Sequence, residues 1–564
     1  MFRVETIEGT IEQIIVWISC IAFVILFSFV KNKELVILGI TWTVIVSSYV
    51  VLTNVISFPH FLLSVSQEVS GLGERLNGFF QYANAFASIL GMFVLFHLGY
   101  ATRENRPTIS LPHQGAVLPL WTLFLLTESR GAWGIFFIAW LASFLIVPKK
   151  QYIKYTFLSI YSFIGGTIVY KLTIANGHIH FSFLAATVLV VSLLLLWFYE
   201  KKEINNKLQK INNAHLLPIY LCIMAMLFVA DICFKGLVYH MLPITIQRRL
   251  SFNLDTLTDR ILYWKDAWSE WESFIWTGLG GKAWKFIMYR AQSFPYLSSE
   301  LHNGYLNLLV EIGMVGTLYI LFLIALAGTK LWQQRATEFA PFTFLIAHAI
   351  IEFTFSFPVI IMAVLMLVSS GIQEKYSSKY LSLKGSLTSF MFIICGIVCF
   401  QFIKAEQTFA SAQYAHTKEK AYMLTKQAME QNKWNTTYVL FAIENELLSL
   451  KDEKQAIERA LKNEPNHALL LFYAGKHAEK MKNMNLAATY YEKSLANDRF
   501  DRNKYVLLTN FYLHMEEKAK ENGHLHEAKQ WKEKAKELHV QMEHLLERIK
   551  EEKRKDERSF HFYK

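Results

Sequence analysis

Along the first part of the chain apolar residues come in blocks rather than alternating with polar ones. Blocks able to cross a bilayer as helices of about twenty residues occur near 11–30, 35–56, 79–99, 131–147, 152–171, 179–199, 215–235, 305–329 and 385–403, with a shorter candidate at 112–127. The stretch 339–371 is too long for one crossing and is broken by FTFSFP (353–358), so it predicts two short helices joined at the surface. About twelve transmembrane helices follow. Beyond Phe402 the pattern changes to polar, helix-forming segments such as KEKAKELHVQMEHLLERIKEEKRKDER. The expected fold is all-α: a polytopic helical membrane domain over 1–403, with a long external loop at about 236–303, and a soluble helical domain over 404–564.

Charge orients the spans. One set of alternate loops carries Lys31, Lys33, Arg103, Arg106, Lys149, Lys150, Lys154, Lys201, Lys202, Lys207, Lys210, Lys330, Arg335, Lys375, Lys379 and Lys384. The short loops of the opposite set carry only Arg75 and Arg130, with Lys171 at a boundary. Lysine and arginine concentrate in cytoplasmic loops, so the N-terminus, Arg130, the 236–303 loop and the tail are expected outside. The same topological role accounts for much of the net charge of +11, and no nucleic-acid partner is expected. With 53% hydrophobic and only 18% charged residues, the composition is that of a membrane protein. The five cysteines lie in or beside apolar spans without metal-ligand spacing, so disulfides, zinc and cofactors are not expected. The leader MFRVETIEGTIEQ has no basic region or small-residue cleavage site, so the first span is expected to be retained.

In the tail, 434–467, 468–501 and 502–535 align at a period of 34 residues. Ile457, Tyr491 and Leu525 share one position and Ala460, Ser494 and Ala528 another; Pro465 and Gly475 punctuate the first two windows. These windows resemble tetratricopeptide repeats, which stack paired helices, although the tryptophan–leucine–glycine signature of the first helix is mostly missing. Such a domain offers a binding surface, so a protein partner is expected there.

Ionisable groups in or beside spans mark functional positions. LHNGYLNLLVEIG (301–313) places His302 at the end of the external loop, where its near-neutral proton affinity suits a general base, with Asn303 beside it. Glu311 is nine residues on, nearly the opposite helix face, and is expected to pack or hydrogen-bond elsewhere. His348 and Glu352 share a face at i, i+4 and either line the same cavity or pair with each other. LLTESRGAWG (125–134) puts Arg130 at a span boundary, where pairing with Glu128 is the structural alternative to a binding role. A guanidinium fork there suits a phosphate. GERLNGFFQYANAFASIL (73–90) adds Arg75 and Asn84 on the same membrane face. DRILYWKDAWSEWESFIWTGLGGKAWKF (259–286) spaces Trp264, Trp268 and Trp271 helically after Arg260: an interfacial aromatic belt, or a surface for sugar rings with Arg260 meeting an anion. Its GLGG lacks the strand and lysine of a phosphate loop.

Four of these segments (ERLNGFFQYANAFA, TESRGAWG, RILYWKDAW…TGLGG and LHNGYLNLLVEIG), in this order, resemble the O-antigen ligase/polymerase superfamily over roughly 70–370. The resemblance implies a membrane-bound glycosyltransferase whose donor is a lipid (undecaprenyl) pyrophosphate-linked glycan and whose acceptor hydroxyl belongs to a glycan, lipid, protein or cell wall. It implies Arg130 and Arg260 as pyrophosphate ligands, with Arg75 joining them, and His302 as the base; Asn303, Glu311, His348 and Glu352 are supporting candidates. The expected place is the external face of a bacterial plasma membrane. Arginine rather than a metal is expected to meet the leaving-group charge, and inversion is expected because no carboxylate pair suited to a covalent intermediate stands out. The alternatives are a transporter or flippase of lipid-linked glycan, or a membrane scaffold or receptor. Two departures from the family pattern stand out: four apolar spans (131–235) separate the Arg130 motif from the external loop, more than the resemblance leads one to expect, and the tail is an addition to the core.

Overall fold

The structure is a computed structural model that describes residues 4–53, 64–67, 74–80, 82–104, 106–176, 216–241, 247, 255–372, 378–552 and 556–560. It is an all-α polytopic membrane protein. Apolar blocks become α1 (Ile7–Ser28), α2 (Lys33–Thr53), α3 (Ala83–Arg103), α4 (Pro107–Leu126), α5 (Arg130–Ala142), α6 (Tyr152–Asn176) and α7 (Leu217–Cys233). A short α8 (Leu237–Met241) follows. The block expected at 179–199 lies outside the described residues. Among the described helices, five are long and apolar enough to cross a bilayer by length and composition.

Burial distinguishes their roles. Helix α3 is apolar on every face, the pattern of a central helix, and is buried from Ala83 to Gly99 except at Asn84. It carries Gly91 against the ring of Phe344 and Gly99 against Thr337. Peripheral helices leave Ile138, Phe322, Phe390 and Ile397 uncovered by protein, as helices facing lipid do, their own backbone bonds already satisfied. The one sheet among the described residues is a hairpin of β1 (Ser64–Gln67) and β2 (Glu74–Gly78), antiparallel with Val65 opposite Leu76 and Ser66 opposite Arg75. Arg75 therefore lies on a strand.

In the long loop, α9 (Asp255–Ser269) and α10 (Trp271–Phe274) precede the glycine turn and α11 (Trp284–Ala291) follows it. The turn clasps the next span, α12 (Gly304–Gln333), where that helix breaks at Gly313 (φ 69°, ψ −179°). Gly278 and Gly280 are also left-handed. Leu279 N–H donates to Val310 O (2.9 Å) and Gly280 N–H to Glu311 O (3.0 Å). A Cβ on Gly313 would stand 2.5 Å from Trp276 O, so GLGG is a backbone-to-backbone joint.

The 339–371 stretch divides into α13 (Phe339–Ile351), a 3-10 turn at Thr354–Ser356 and α14 (Pro358–Gly371). Helix α15 (Ser378–Gln413) then runs without interruption into the tail. Lys33 donates to Ser369 O, Arg103 to Ile146 O (3.2 Å) and Lys154 to Glu104 O (3.0 Å), so the basic loops tie one end of the bundle together. At the other end the N-terminus meets the tail: Thr6 donates to Glu464 (3.0 Å), and Asn432 and Asn466 donate to Glu8 and Glu5 (2.7 and 2.8 Å).

The tail contains α16 (Lys418–Gln431), α17 (Thr436–Glu444), α18 (Leu450–Asn463), α19 (Ala468–Lys480), α20 (Met484–Ala496), α21 (Arg502–Glu521) and α22 (Leu525–Glu551). Each 34-residue window begins a helix pair, and Gly475 lets α19 approach the ring of Tyr491, whose Cδ1 lies 2.6 Å from where a Cβ would be. The third window slips because α21 is long. Leu525 then starts a helix and is exposed, whereas its counterparts Ile457 and Tyr491 are buried.

Candidate active site

The centre of the site is Glu352, and the local backbone explains its reach. Helix α13 ends at Ile351, and Glu352 adopts an extended conformation (φ −143°, ψ 155°) before the turn that Pro358 closes. The carboxylate therefore leaves the helix face and meets four side chains. Tyr82 Oη donates to Oε2 (2.7 Å) and Asn84 Nδ2 to Oε1 (2.8 Å). Arg260 donates Nη2 to Oε1 and Nη1 to Ile351 O. His302 Nδ1 lies 3.4 Å from Oε2.

Arg75 supports this arrangement from the hairpin. Its Nε donates to Thr127 O at the end of α4 (2.8 Å) and its Nη2 to Asn84 Oδ1 (2.7 Å). The hairpin, the start of α3 and the end of α4 are thereby tied together. Arg130 opens α5. The next residue, Gly131, has no Cβ; one would stand 2.6 Å from Ile351 Cδ1, so Arg130 begins its helix beside the residue whose carbonyl holds Arg260.

His302 has a left-handed backbone (φ 51°), which is uncommon for a residue with a Cβ and is held by surrounding bonds. On one side Trp264 Nε1 donates to Leu301 O (2.7 Å); on the other Gly304 N–H donates to Glu352 O (3.0 Å). The imidazole meets Phe353 edge-on at 4.9 Å, lies 6.1 Å from the Tyr263 ring, and is about a quarter exposed. A donor Nδ1–H toward Glu352 leaves Nε2 with its lone pair, the tautomer a general base needs.

Asn303 is the N-cap of α12, its side chain accepting from the N–H groups of Tyr305 and Leu306 (both 3.0 Å). It fixes the residue after the histidine. Glu311 lies apart from His302 and accepts from Lys282 N–H (2.9 Å). His348 and Glu352 do not pair: the carboxylate turns off the helix, and among the described residues neither ring nitrogen of the fully buried His348 has a hydrogen-bond partner. The i, i+4 spacing holds only while both residues are helical. Of the loop tryptophans, Trp268 and Trp271 are exposed while Trp264 braces Leu301.

Two carboxyl groups flank the histidine in opposite electrostatic states. Burial pushes Glu352 up, but the hydrogen bond with His302 and the Arg260 charge overcome it and bring the group down to about 2. Burial pushes Glu300 upward, with its bonds to Ser356 (3.0 Å) and Asn307 only partly opposing this. Glu300 also lines a cavity of about 240 Å³ with Lys282, Trp284, Lys285, Ser299, Asn307 and Glu311. Sequence reasoning passed over Tyr82 and Glu300, each two residues from a candidate (Asn84 and His302). Among the described residues no cluster of three or more His, Cys, Asp or Glu is arranged to hold a metal ion.

A family model described as O-Antigen ligase matches residues 115–321, which include Arg130, Arg260 and His302 and end before Glu352. No curated protein and no solved structure matches the chain.

Proposed function

From the match of residues 115–321 to the O-antigen ligase family model, we propose that the chain is a glycan transferase of that superfamily, which transfers or polymerises a glycan from a lipid (undecaprenyl) pyrophosphate donor onto an acceptor hydroxyl at the external face of a bacterial plasma membrane. The match supports a glycan ligase or polymerase type of activity in general; donor, membrane face and residue roles are the proposal. The observation that carries it is the convergence of His302 and Arg260 on the buried carboxylate of Glu352.

In this reading Glu352 holds the His302 imidazole with Nε2 toward the acceptor hydroxyl and stabilises the imidazolium once the proton is taken. The acceptor oxygen attacks the anomeric carbon as the bond to pyrophosphate breaks. Arg130, Arg260 and Arg75 meet the charge that grows on the leaving group, most strongly in the transition state. The cavity beside Glu300 offers carboxyl, amide and ammonium groups for glycan hydroxyls. The basic loops at the opposite end of the bundle support an external site, and the helix pairs of the tail support a tetratricopeptide-like domain.

The test uses a deletion strain. Its membranes are expected to accumulate lipid-linked glycan, which serves as donor for the purified protein in proteoliposomes. His302→Ala is expected to bind this donor and fail to transfer it. Wild-type transfer by this variant would reject His302 as base, and accumulation of donor on the inner leaflet of the deletion strain would point to a flippase instead.

A further inference from the structure

The segment just upstream of the catalytic loop's histidine is gripped by the tail. Chain 291–297 leaves α11 without regular backbone partners, and the tail supplies them in order along its length. Arg499 donates to Ala291 O (3.1 Å) and Gln292 O, and Arg548 to Ser293 O. Glu557 N–H donates to Pro295 O (3.1 Å), and the Glu557 carboxylate accepts from Leu297 N–H (2.7 Å). Arg558 donates to Gln292 Oε1 (3.1 Å) and pairs with Asp498 (2.6 Å). Phe294, 2% exposed, is buried in the tail's own apolar core with Phe500, Tyr505 and Phe560.

The other edge of the same strap faces the site. Ser293 N–H donates to Asp266 (3.0 Å) on α9, the helix that also carries Arg260 and Tyr263. Tyr296 packs on Tyr263 at 4.5 Å, and Tyr263 faces the His302 ring. One strap thus joins the tail to both the arginine helix and the histidine. Without the tail the strap would leave these carbonyls to water; charge-assisted bonds from arginine order it instead.

We propose that the tail is a positioning element of the transfer site: Arg499, Arg548 and Arg558 hold the 291–297 strap so that His302 and Arg260 keep their places on Glu352. This rests on the reading of His302 as base. The tail's contribution to transfer is then made within the chain, whatever else the tail binds.

The test compares full-length wild type with Arg499→Ala/Arg558→Ala, with Arg499→Lys and with His302→Ala, expressed in the deletion strain at matched membrane abundance. Each is read by surface glycan and, after purification, by amide hydrogen exchange. Losing charge-assisted bonds is expected to raise exchange across 292–303 about tenfold to about a hundredfold, with exchange in 83–103 unchanged. Glycan transfer is expected to fall by about tenfold or more, and Arg499→Lys to recover part of both effects. Should the double variant not accumulate, Arg499→Lys alone is expected to show an intermediate loss of both. Wild-type exchange in the strap, or loosened exchange with undiminished transfer, overturns the proposal. Wild-type transfer by His302→Ala overturns the base assignment itself. That result differs from an inactive His302→Ala beside a fully active arginine variant, which removes the tail's role alone.

Discussion

Glu352→Gln changes one atom type at the centre of the site and separates its two roles. Glu352 sits in the turn between α13 and α14, with its side chain 3% exposed, and its carboxyl is held at about 2 against an ordinary value of 4.5. That depression corresponds to about 3 kcal/mol favouring the folded state. A depressed carboxylate gives its stability above its unfolded value and loses it as pH falls, so the gap between wild type and variant is expected to be full above about pH 5 and to close toward pH 2. The chemistry changes as well. The amide oxygen must face Asn84 and Arg260, because an arginine has no acceptor to offer an NH₂ group. The NH₂ group then faces His302 Nδ1, which must accept, placing the ring proton on Nε2 and removing the base. The equivalent carboxylate-to-amide change in the serine-protease triad costs about ten-thousandfold. The longer 3.4 Å contact here sets a smaller expectation, a loss of about a hundredfold or more in transfer at pH 7. Transfer from the accumulated donor in proteoliposomes, alongside thermal unfolding from pH 3 to 7, measures both. Transfer within about threefold of wild type, with unchanged unfolding across that range, would refute the tautomer argument and the charge assignment together.

Three further outcomes are expected. Asn303→Ala removes the acceptor for two N–H groups at the start of α12 and is expected to cost about 1 kcal/mol in thermal unfolding, with Asn303→Asp retaining most of it. Gly313→Ala meets Trp276 O at 2.5 Å in a left-handed conformation; a loss of about 1–3 kcal/mol is expected, whereas Gly396→Ala, with open space around its Cβ, is expected to be near neutral. Burial, with the Glu8 charge adding to it, pushes Glu464 up to about 7 where it accepts from Thr6. A carboxyl raised in the folded state stabilises below its unfolded value and loses that stability as pH rises through 7, so unfolding is expected at lower temperature at pH 8 than at pH 6, a difference that Glu464→Gln abolishes.

Most of the membrane architecture was legible because burial in lipid demands uninterrupted apolar length. The blocks at 11–30, 35–56 and 305–329 became α1, α2 and α12, and FTFSFP divided α13 from α14. The tail pairing was legible through Ala460, Ser494 and Ala528, all buried; its slip at Leu525 was not, because a longer α21 leaves the apolar spacing intact. The site was legible as separate motifs but not as a carboxylate-centred cluster. Its hub depends on where a helix stops: had α13 continued one more turn, Glu352 would lie over His348 as its spacing suggests. A shift of a helix end by a turn or less has no strong sequence signature. Likewise Arg75 reaches Asn84 only because its strand folds back onto α3, a non-local contact that no periodicity encodes.

A carboxylate at the heart of a site proposed for a pyrophosphate needs a physical reason, since like charges repel. Two guanidinium groups, Arg260 paired with Glu352 and Arg75 linked to it through Asn84, stand against that one carboxylate, while burial pushes Glu300 toward its neutral form. The site therefore keeps a positive surplus before His302 takes a proton, and gains another charge when it does. What Glu352 adds is geometry. Its four donors arrive from the residue before α3, α3 itself, α9 and the turn before α12, elements that share no local sequence. Fixing them during folding means that their dipoles need not reorganise when charge moves to the leaving group, the condition under which electrostatic stabilisation is most effective. On this argument the carboxylate weakens ground-state attraction for the donor slightly and strengthens the transition state more. Its removal should therefore lower the turnover of bound donor rather than its binding.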